Sequence, residues 1–310
     1  MNILIQNVIN NNNFEAIKFL IENGMDIHID NDYTLKYSAE YGNLNIVKYL
    51  LENGANIHTD NDSVLKLSAQ NGHLDIVKYL LENGINIHTQ NDSALKLSAV
   101  YGHLEVVKYL IENGADIHVH NDYALRYSEH LEVVKYLIEN GADIHALDDD
   151  TLINNADNGN LDIIKYLLEK GINIHAQNDS TLKISCQNGY LEIVKYLIEN
   201  GADINVINID YLKILYENEN LNIIQYLLEN INYKNLIKDN ELIILLLNSE
   251  IINNIIDNIK IKENINYYLN SITNEENKIY FKSYYYHKLN NELNNEFKKE
   301  LILKSNLINY

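Results

Sequence analysis

The amino-acid sequence predicts an all-α solenoid of stacked helix-turn-helix repeats, followed by a diverged helical segment at the C-terminus. Three observations lead to this prediction. One phrase of residues recurs about every 30 positions, each copy contains two apolar segments, and a glycine follows most of these segments. Apolar residues at helical spacing with glycine just beyond them indicate short helices with defined ends. Recurrence at this period indicates supersecondary units that bury their apolar faces against one another.

The repeat is easiest to follow at the glycines that close each copy. The interval is 30 residues, apart from one 27-residue repeat at 114–140. These glycines are Gly24, Gly54, Gly84, Gly114, Gly141, Gly171 and Gly201. The array therefore covers residues 24–230. Residues 1–23 are predicted to be an N-terminal partial repeat or cap, and residues 231–310 to be degenerate repeats or a helical cap, which a solenoid needs at its exposed end.

Residues 54–83 show the full form of one repeat. In the first helix, Asn61-Asp62-Ser63 offers side-chain oxygens as N-cap acceptors. Gly72 follows this helix, where a residue with positive φ ends it. The second helix is predicted from His73 to Asn83, and it carries apolar residues on more than one flank. Such a helix fits the interior of a stack better than an isolated surface position.

These phrases resemble the ankyrin repeat. The resemblance rests on Gly-Ala-Asp-Ile-His, on Ser-Ala-x-x-Gly-His-Leu-x-Val-Val and on the closing Leu-Leu-Glu-Asn-Gly, and it covers roughly residues 12–230. The ankyrin period is about 33 residues, so about three residues are missing from the loop before the first helix. The family's Thr-Pro-Leu-His keeps only its Leu, as in Ser93-Ala94-Leu95-Lys96. The chain is thus similar to the 30-residue variant that giant DNA viruses of amoebae encode.

Charge and composition exclude several classes of partner. The chain has 44 acidic and 24 basic residues, for a formal net charge of −20. Residues 231–310 hold ten of each, so residues 1–230 carry the whole excess, with 34 acidic against 14 basic residues. An acidic surface repels nucleic acid and anionic membranes. We therefore expect a protein partner that is basic or neutral at the contact, and no binding to nucleic acid or membrane.

Cysteine content and the first residues bear on the compartment. The chain has one Cys, and Met1 to Asn13 lacks the basic n-region and small-residue cleavage site of a secretory signal. No apolar run approaches the length of a membrane span. These features predict a non-secreted protein, cytoplasmic in a host cell and monomeric.

No motif predicts catalysis or a cofactor. Glycine-rich nucleotide loops are absent. Ser98 with His103 and Glu105 contains the residue types of a nucleophilic triad, but similar sets recur in successive repeats, whereas a catalytic site is a single arrangement. Cys186 occupies the position that Ala69 holds in its repeat, which indicates a small core residue. The chain is therefore predicted not to be an enzyme and to need no cofactor.

A histidine recurs in the turn of successive repeats. The series is His28, His58, His88, His118, His145 and His175, with Asn205 at the next equivalent position. Equivalent atoms in adjacent repeats should be about 8–10 Å apart, whereas zinc needs nitrogens about 2.0–2.1 Å from one ion. The series predicts no metal site. Turn imidazoles that hydrogen-bond to backbone explain it, and the same applies to His73 and His103 at the start of second helices.

A row of basic residues recurs on the first helices. It consists of Lys36, Lys66, Lys96, Arg126, Lys183 and Lys213. An acidic residue precedes most of these by four positions, as Asp32 precedes Lys36, and this spacing favours ion pairs within a helix. The pattern favours a charge-paired, solvated face over an anion-binding strip.

Positions that vary between repeats are the candidate partner-binding residues. The ankyrin resemblance implies that loop tips and first-helix ends line a concave recognition surface. The candidates are Tyr33, Tyr41, Asp60, Gln90, Tyr101, His120 and Tyr123. The predicted function is a non-catalytic scaffold that binds an unidentified protein. The alternative is an adaptor in which residues 231–310 recruit modification machinery such as a ubiquitin ligase.

Two local features complete the predictions. The 27-residue repeat keeps only Glu129 and His130 between Ser128 and Leu131, so we expect a weak joint there with fast amide hydrogen exchange. Leu197 to Asn205 fits Leu-x5-Asp-x-Asn, the pattern at which ankyrin repeats are hydroxylated on the final Asn. The resemblance therefore implies Asn205 as a hydroxylation site.

Overall fold

The structure, a computed structural model, describes residues 2–230 and 278–279 of the chain. The described part is all-α, with sixteen α-helices, a short 3-10 turn at Ile204–Val206 and no strand. The helices are α1 (Asn2–Asn10), α2 (Phe14–Glu22), α3 (Ile29–Glu40), α4 (Leu44–Glu52), α5 (Thr59–Gln70), α6 (Leu74–Glu82), α7 (Thr89–Val100), α8 (Leu104–Glu112), α9 (Val119–Arg126), α10 (Leu131–Glu139), α11 (Ala146–Asp157), α12 (Leu161–Glu169), α13 (Ala176–Gln187), α14 (Leu191–Glu199), α15 (Ile209–Glu217) and α16 (Leu221–Asn230).

The chain forms two compact units, Met1–Ala176 and Gln177–Tyr310. In the N-terminal unit the first helices α3, α5, α7, α9 and α11 pack one on the next, and the second helices α4, α6, α8, α10 and α12 form a second layer. In the C-terminal unit α16 packs against α14 and α15. This arrangement confirms the predicted solenoid of helix pairs. No helix of the described part has the length and apolar character that crossing a membrane requires.

The core lies between the two layers. In the repeat at 54–83, Leu65 of α5 and Ile76, Val77 and Leu80 of α6 are buried, whereas Leu74 is half-buried. Each such aliphatic side chain contributes about 1.5–3 kcal/mol when fully buried. Since equivalent residues are buried in the neighbouring repeats, the core runs along the stack of the N-terminal unit.

A left-handed turn lies near the start of each first helix from α3 to α13. In α3 the residues Asp30, Asn31 and Asp32 have φ of 48°, 54° and 55° and ψ of 50°, 61° and 39°. Equivalent turns occur at Asp60 to Asp62, Gln90 to Asp92, His120 to Asp122, Leu147 to Asp149 and Gln177 to Asp179. Left-handed backbone costs most residues about 1–2 kcal/mol each, and Asn and Asp adopt it most readily. The turn therefore depends on the recurring Asn-Asp pair.

The predicted N-cap at Asn61-Asp62-Ser63 is wrong for this reason. Asp62 lies inside the left-handed turn, where its carboxylate is 2.7 Å from His58 Nδ1. Ser63 Oγ donates to Thr59 O at 3.3 Å instead of accepting from the backbone. Gly72, in contrast, ends the first helix with a φ of +79°, as predicted.

The repeat that begins at Gly201 shows what the turn requires. Its sequence places Ile209 where the other repeats have the last Asp of the turn, and a β-branched residue is a genuine outlier at positive φ. The left-handed turn is absent here, since Ile207 and Asn208 have φ of −86° and −84°. Asn208 instead caps α15, with its side chain accepting from Tyr211 N at 3.0 Å.

The first helix of the 27-residue repeat, α9, is shorter than its equivalents. Arg126 is buried at the end of α9, where its Nε donates to Asn121 O at 2.8 Å and a terminal nitrogen pairs with Asp150 at 2.9 Å. Ser128 Oγ donates to Ala99 O of the preceding repeat at 3.1 Å. These bonds join the shortened segment to the repeats before and after it. Fast amide exchange at this joint stays a prediction, and exchange measured against the flanking repeats tests it.

Three buried threonine hydroxyls point to a stabilising substitution. Thr34, Thr151 and Thr181 each bury a hydroxyl that has no hydrogen-bond partner in the described residues, and the equivalent residue in the next repeat after Thr34 is Val64. Thr34→Val is expected to raise the free energy of unfolding by about 1 kcal/mol, because it removes an unpaired buried polar group. Urea denaturation measures the change. Ser38→Ala is the matched control and should be destabilising, because Ser38 Oγ donates to Thr34 O at 2.7 Å. A loss of stability in Thr34→Val would contradict the explanation.

Candidate functional site

A histidine-aspartate pair holds the left-handed turns. His28 Nδ1 lies 3.0 Å from Asp32 Oδ1, and Asp32 is only 4% exposed. The same pair occurs in His58–Asp62, His88–Asp92, His118–Asp122 and His145–Asp149, at 2.7–3.0 Å. The predicted backbone partner of these imidazoles is therefore wrong, because the left-handed turn folds the carboxylate back onto the ring. Within residues 2–230 and 278–279, no group of three or more His, Cys, Asp or Glu side chains could hold a metal.

The same carboxylates also bind the following repeat. Asn56 N donates to Asp32 Oδ1 at 3.0 Å, across 24 positions of sequence. Further copies in the N-terminal unit are Asp116 N to Asp92, Asp143 N to Asp122 and Asn173 N to Asp149, at 2.9–3.0 Å. In the C-terminal unit Asp203 N donates to Asp179 Oδ1 at 3.0 Å. The histidine and aspartate series therefore has a structural role. It holds the loop that begins a repeat against the repeat before it.

The histidines that begin the second helices bind the preceding repeat. His73 Nε2 is 2.8 Å from Glu40 O, and His103 Nε2 is 2.8 Å from Gln70 O. The predicted backbone partner is confirmed for these two rings. Each ring also covers the glycine that ends a first helix, so that a Cβ at Gly72 would lie 2.5 Å from His103 Nδ1.

Cys186 is a core residue, as predicted. Its side chain is completely buried, and burial raises the pKa of the thiol to about 12. A free cysteine has a pKa of about 8.5, and the thiolate is the reactive form.

We therefore expect Cys186 to react with a maleimide at least about 100-fold more slowly in the native protein than in denaturant at pH about 8. Mass spectrometry of timed samples measures the two rates. Added free cysteine serves as the control for reagent activity in each buffer. Equal rates in the two states would contradict a buried thiol.

Two of the predicted binding residues lie on α3 in a tyrosine row. Tyr33 stacks on Tyr37 with ring centroids 5.4 Å apart, and Tyr37 lies 4.5 Å from Tyr41, which is 46% exposed. The hydrogen bond with Tyr41, together with burial, raises the pKa of Tyr37 to about 12. Sequence reasoning missed Tyr37, although the spacing of four residues along a helix would have revealed it.

The predicted binding residues that lie in left-handed turns contact the repeat before them, and they are Asp60, Gln90 and His120. Asp60 forms an ion pair with Lys36 Nζ. Gln90 Nε2 donates to Asn61 O at 2.7 Å, and Lys96 Nζ donates to His120 Nδ1 at 3.4 Å. The predicted ion pair within one helix is wrong for Lys36, because Asp32 lies in the left-handed turn and binds His28. The acidic partner of Lys36 comes from the next repeat instead, where it is Asp60.

The remaining candidates lie on the same layer of first helices. Tyr101 directly follows α7 as its C-cap residue and is 52% exposed. Tyr123 of α9 lies 4.5 Å from Tyr127, which sequence reasoning missed and which is 40% exposed. Lys96 Nζ is 5.7 Å from the centroid of the Tyr123 ring.

We call this surface the first-helix face of the N-terminal unit. It is defined by Tyr33, Tyr37, Tyr41, Asp60, Gln90, Tyr101, His120, Tyr123 and Tyr127, together with Lys36, Lys66, Lys96 and Arg126 of the same helices. All seven sequence-predicted residues belong to it. It combines exposed aromatic rings with charged and amide groups on a helical framework, and aromatic side chains of this kind are enriched at protein interfaces.

Comparison with protein families places these repeats. The family model described as ankyrin repeats (3 copies) matches residues 1–61, 54–121 and 122–208. The three matches together cover residues 1–208 of the 310-residue chain. A search of curated proteins finds no match.

Proposed function

Because the chain belongs to the ankyrin repeat family, we propose that it is a non-catalytic scaffold that binds a protein partner through its first-helix face. The repeats of this family generally mediate protein-protein interaction. The 30-residue period leads us to group the chain with the variant that giant DNA viruses of amoebae encode.

The observation that carries this proposal is the exposure of tyrosine on one layer. Tyr41 and Tyr101 present about half of their surface to solvent, although their neighbours Ala39 and Ala99 are fully buried. Tyrosine offers a large apolar area with a hydrogen-bonding hydroxyl, and it is enriched among the residues that dominate binding energy at interfaces. The framework is held by buried side chains and inter-repeat bonds, so these rings are free to serve recognition.

Proximity labelling in host-type cells tests the proposal. The full chain is compared with a variant that carries Tyr41→Ser and Tyr101→Ser, after circular dichroism shows equal helix content. Phe19→Ala is the matched control, because Phe19 is an exposed aromatic residue on α2, in the second layer. We expect a defined set of proteins that is lost in the tyrosine variant and kept in the control. An unchanged set in the tyrosine variant would overturn the proposal.

The adaptor alternative falls on residues 231–310. Apart from Lys278 and Ile279, these lie outside the described residues. Deleting them distinguishes the two functions, because an adaptor keeps its target and loses the modification machinery, whereas loss of a cap destabilises the array.

We further propose Asn205 as a hydroxylation site. It is exposed in the 3-10 turn, where its Nδ2 donates to Asp203 Oδ1 at 2.8 Å. The sequence offers a reason why Asn replaces His here, because the Asp that would bind the ring four residues later is replaced by Ile209. Mass spectrometry of the peptide containing Asn205 tests this, and the absence of an added oxygen after expression in host cells would remove the proposal.

A further inference from the structure

The basic residues of the first-helix face differ in whether an acidic residue neutralises them. Lys36 pairs with Asp60, and Arg126 pairs with Asp150 at 2.9 Å. In both cases the acidic partner is supplied by the following repeat, 24 positions later. The two ends of this row in the N-terminal unit are therefore charge-balanced.

Lys66 and Lys96, between these two, have no such acidic partner. The residue 24 positions after Lys66 is Gln90, whose amide is engaged with Asn61 O. The residue 24 positions after Lys96 is His120, which offers a ring nitrogen instead of a carboxylate. In the part of the chain that the structure describes, Lys66 has no hydrogen-bond or ion-pair partner.

The nearest acidic side chains on the same helices are already engaged. Asp62 and Asp92 lie in left-handed turns, where their carboxylates are 2.7 and 3.0 Å from His58 and His88. Burial lowers the pKa of Lys96, Asp92 opposes this shift, and the Lys66 ammonium adds to it. Among the described residues, neither carboxylate forms an ion pair with Lys66 or Lys96.

The surroundings of the two lysines favour a peptide over a free ion. Tyr101 is exposed directly after α7, the helix that carries Lys96, and the centroid of the Tyr123 ring lies 5.7 Å from Lys96 Nζ. Equivalent residues of adjacent packed helices are about 8–10 Å apart, and three residues of polyproline II chain span about 9 Å and complete one turn. Two carboxylates three residues apart on a polyproline II segment lie on the same side and would therefore reach both lysines.

We propose that the middle of the first-helix face, defined by Lys66, Lys96 and Tyr101, binds an acidic peptide segment of the partner, with one carboxylate at each lysine. This inference rests on the proposed function of the face. It differs from the expectation that net charge alone suggests, because these two lysines lack the acidic partners that Lys36 and Arg126 have. Complementary charge across an interface mainly supplies specificity and fast association.

Selection from a random peptide library on the immobilised full chain tests the proposal. We expect selected peptides to be enriched in Asp or Glu at positions three residues apart. The variant with Lys66→Gln and Lys96→Gln should bind these peptides at least about tenfold more weakly. The matched control carries Lys48→Gln and Lys78→Gln, which remove the same charge from the second layer, where these lysines lie over Tyr79 and Tyr109. The control should change affinity less than about twofold.

A second variant keeps both lysines. Gln90→Asp would place a carboxylate where Asp60 stands relative to Lys36, so that Lys66 is neutralised within the chain. It should weaken acidic peptides about tenfold, and circular dichroism should show unchanged helix content although the bond from Gln90 Nε2 to Asn61 O is lost. A Gln90→Asp protein that binds as tightly as the wild type would overturn the inference.

The remaining outcomes separate the two proposals. Selected peptides that depend on Tyr41 and Tyr101 but show no acidic enrichment would overturn the inference and leave the proposed function standing. Equal binding of a single-stranded oligonucleotide would show non-specific anion attraction and overturn the inference. Failure to select any peptide on the folded chain would count against both.

Discussion

Replacing Asp92 with alanine is expected to lower the free energy of unfolding by about 2–4 kcal/mol. The carboxylate accepts from Asp116 N at 3.0 Å and lies 3.0 Å from His88 Nδ1, and alanine leaves both without their acceptor. A hydrogen bond to a charged acceptor contributes about 1.5–3 kcal/mol. Alanine at a φ of 51° adds about 1 kcal/mol of strain.

The matched control for this substitution is Asp92→Asn. Asparagine keeps an acceptor oxygen and adopts positive φ readily, so it should cost about 1 kcal/mol. Urea denaturation gives the overall change. Because long arrays depart from two-state unfolding, hydrogen exchange should be measured in α7 and α8 as well. Equal losses for alanine and asparagine would show that the inter-repeat bond contributes little.

Replacing Gly72 with alanine is expected to cost about 3 kcal/mol, against about 1 kcal/mol for Gly84→Ala. Both glycines have positive φ, +79° and +93°, so both substitutions strain the backbone. Only at Gly72 would the new Cβ meet another residue, at 2.5 Å from His103 Nδ1, whereas nothing lies within 4 Å at Gly84. Displacing the ring breaks its 2.8 Å bond to Gln70 O.

A His103→Ala background isolates this contact. Without the ring, Gly72→Ala and Gly84→Ala should cost about the same, because only backbone strain remains. Thermal and urea denaturation of the single and double variants complete the cycle. If the difference between the two glycines persisted without His103, the cause would lie in the backbone and not in the contact between repeats.

The helix pairs and the C-terminal ends of the first helices could be predicted from the sequence. Apolar spacing identified the second helices, and Gly72 ended the first helix with positive φ as expected. The left-handed turn could not be predicted from residues such as Asn61 and Asp62, because Asn and Asp favour N-caps, turns and left-handed backbone alike. Two signals pointed to it. The loop is about three residues shorter than in other ankyrin repeats, and Ile209 interrupts the Asn-Asp pattern.

Sequence variation between repeats suggests candidate binding residues, but it does not indicate which side chains pair with one another. Variation between repeats identified Tyr41 and Tyr101, both of which the structure exposes. The partner of Lys36 was misassigned, because a spacing of four residues has meaning only within a right-handed helix. Its true partner, Asp60, lies in the next repeat. Pairing across repeats depends on how the repeats stack, and local spacing carries no information about that.

The bond from each buried aspartate to the following repeat does not depend on the side chains of that repeat. The donor is a backbone N–H, which every residue except proline provides, and the chain contains no proline. The backbone N–H groups of Asn56, Asp116 and Asp143 all donate in this way, although the side chains differ. This bond would therefore form with a new neighbour after a copy is duplicated, lost or moved, whatever the side chain at the donor position. Copies that keep the left-handed turn and its aspartate can thus be added or removed without a change in this contact.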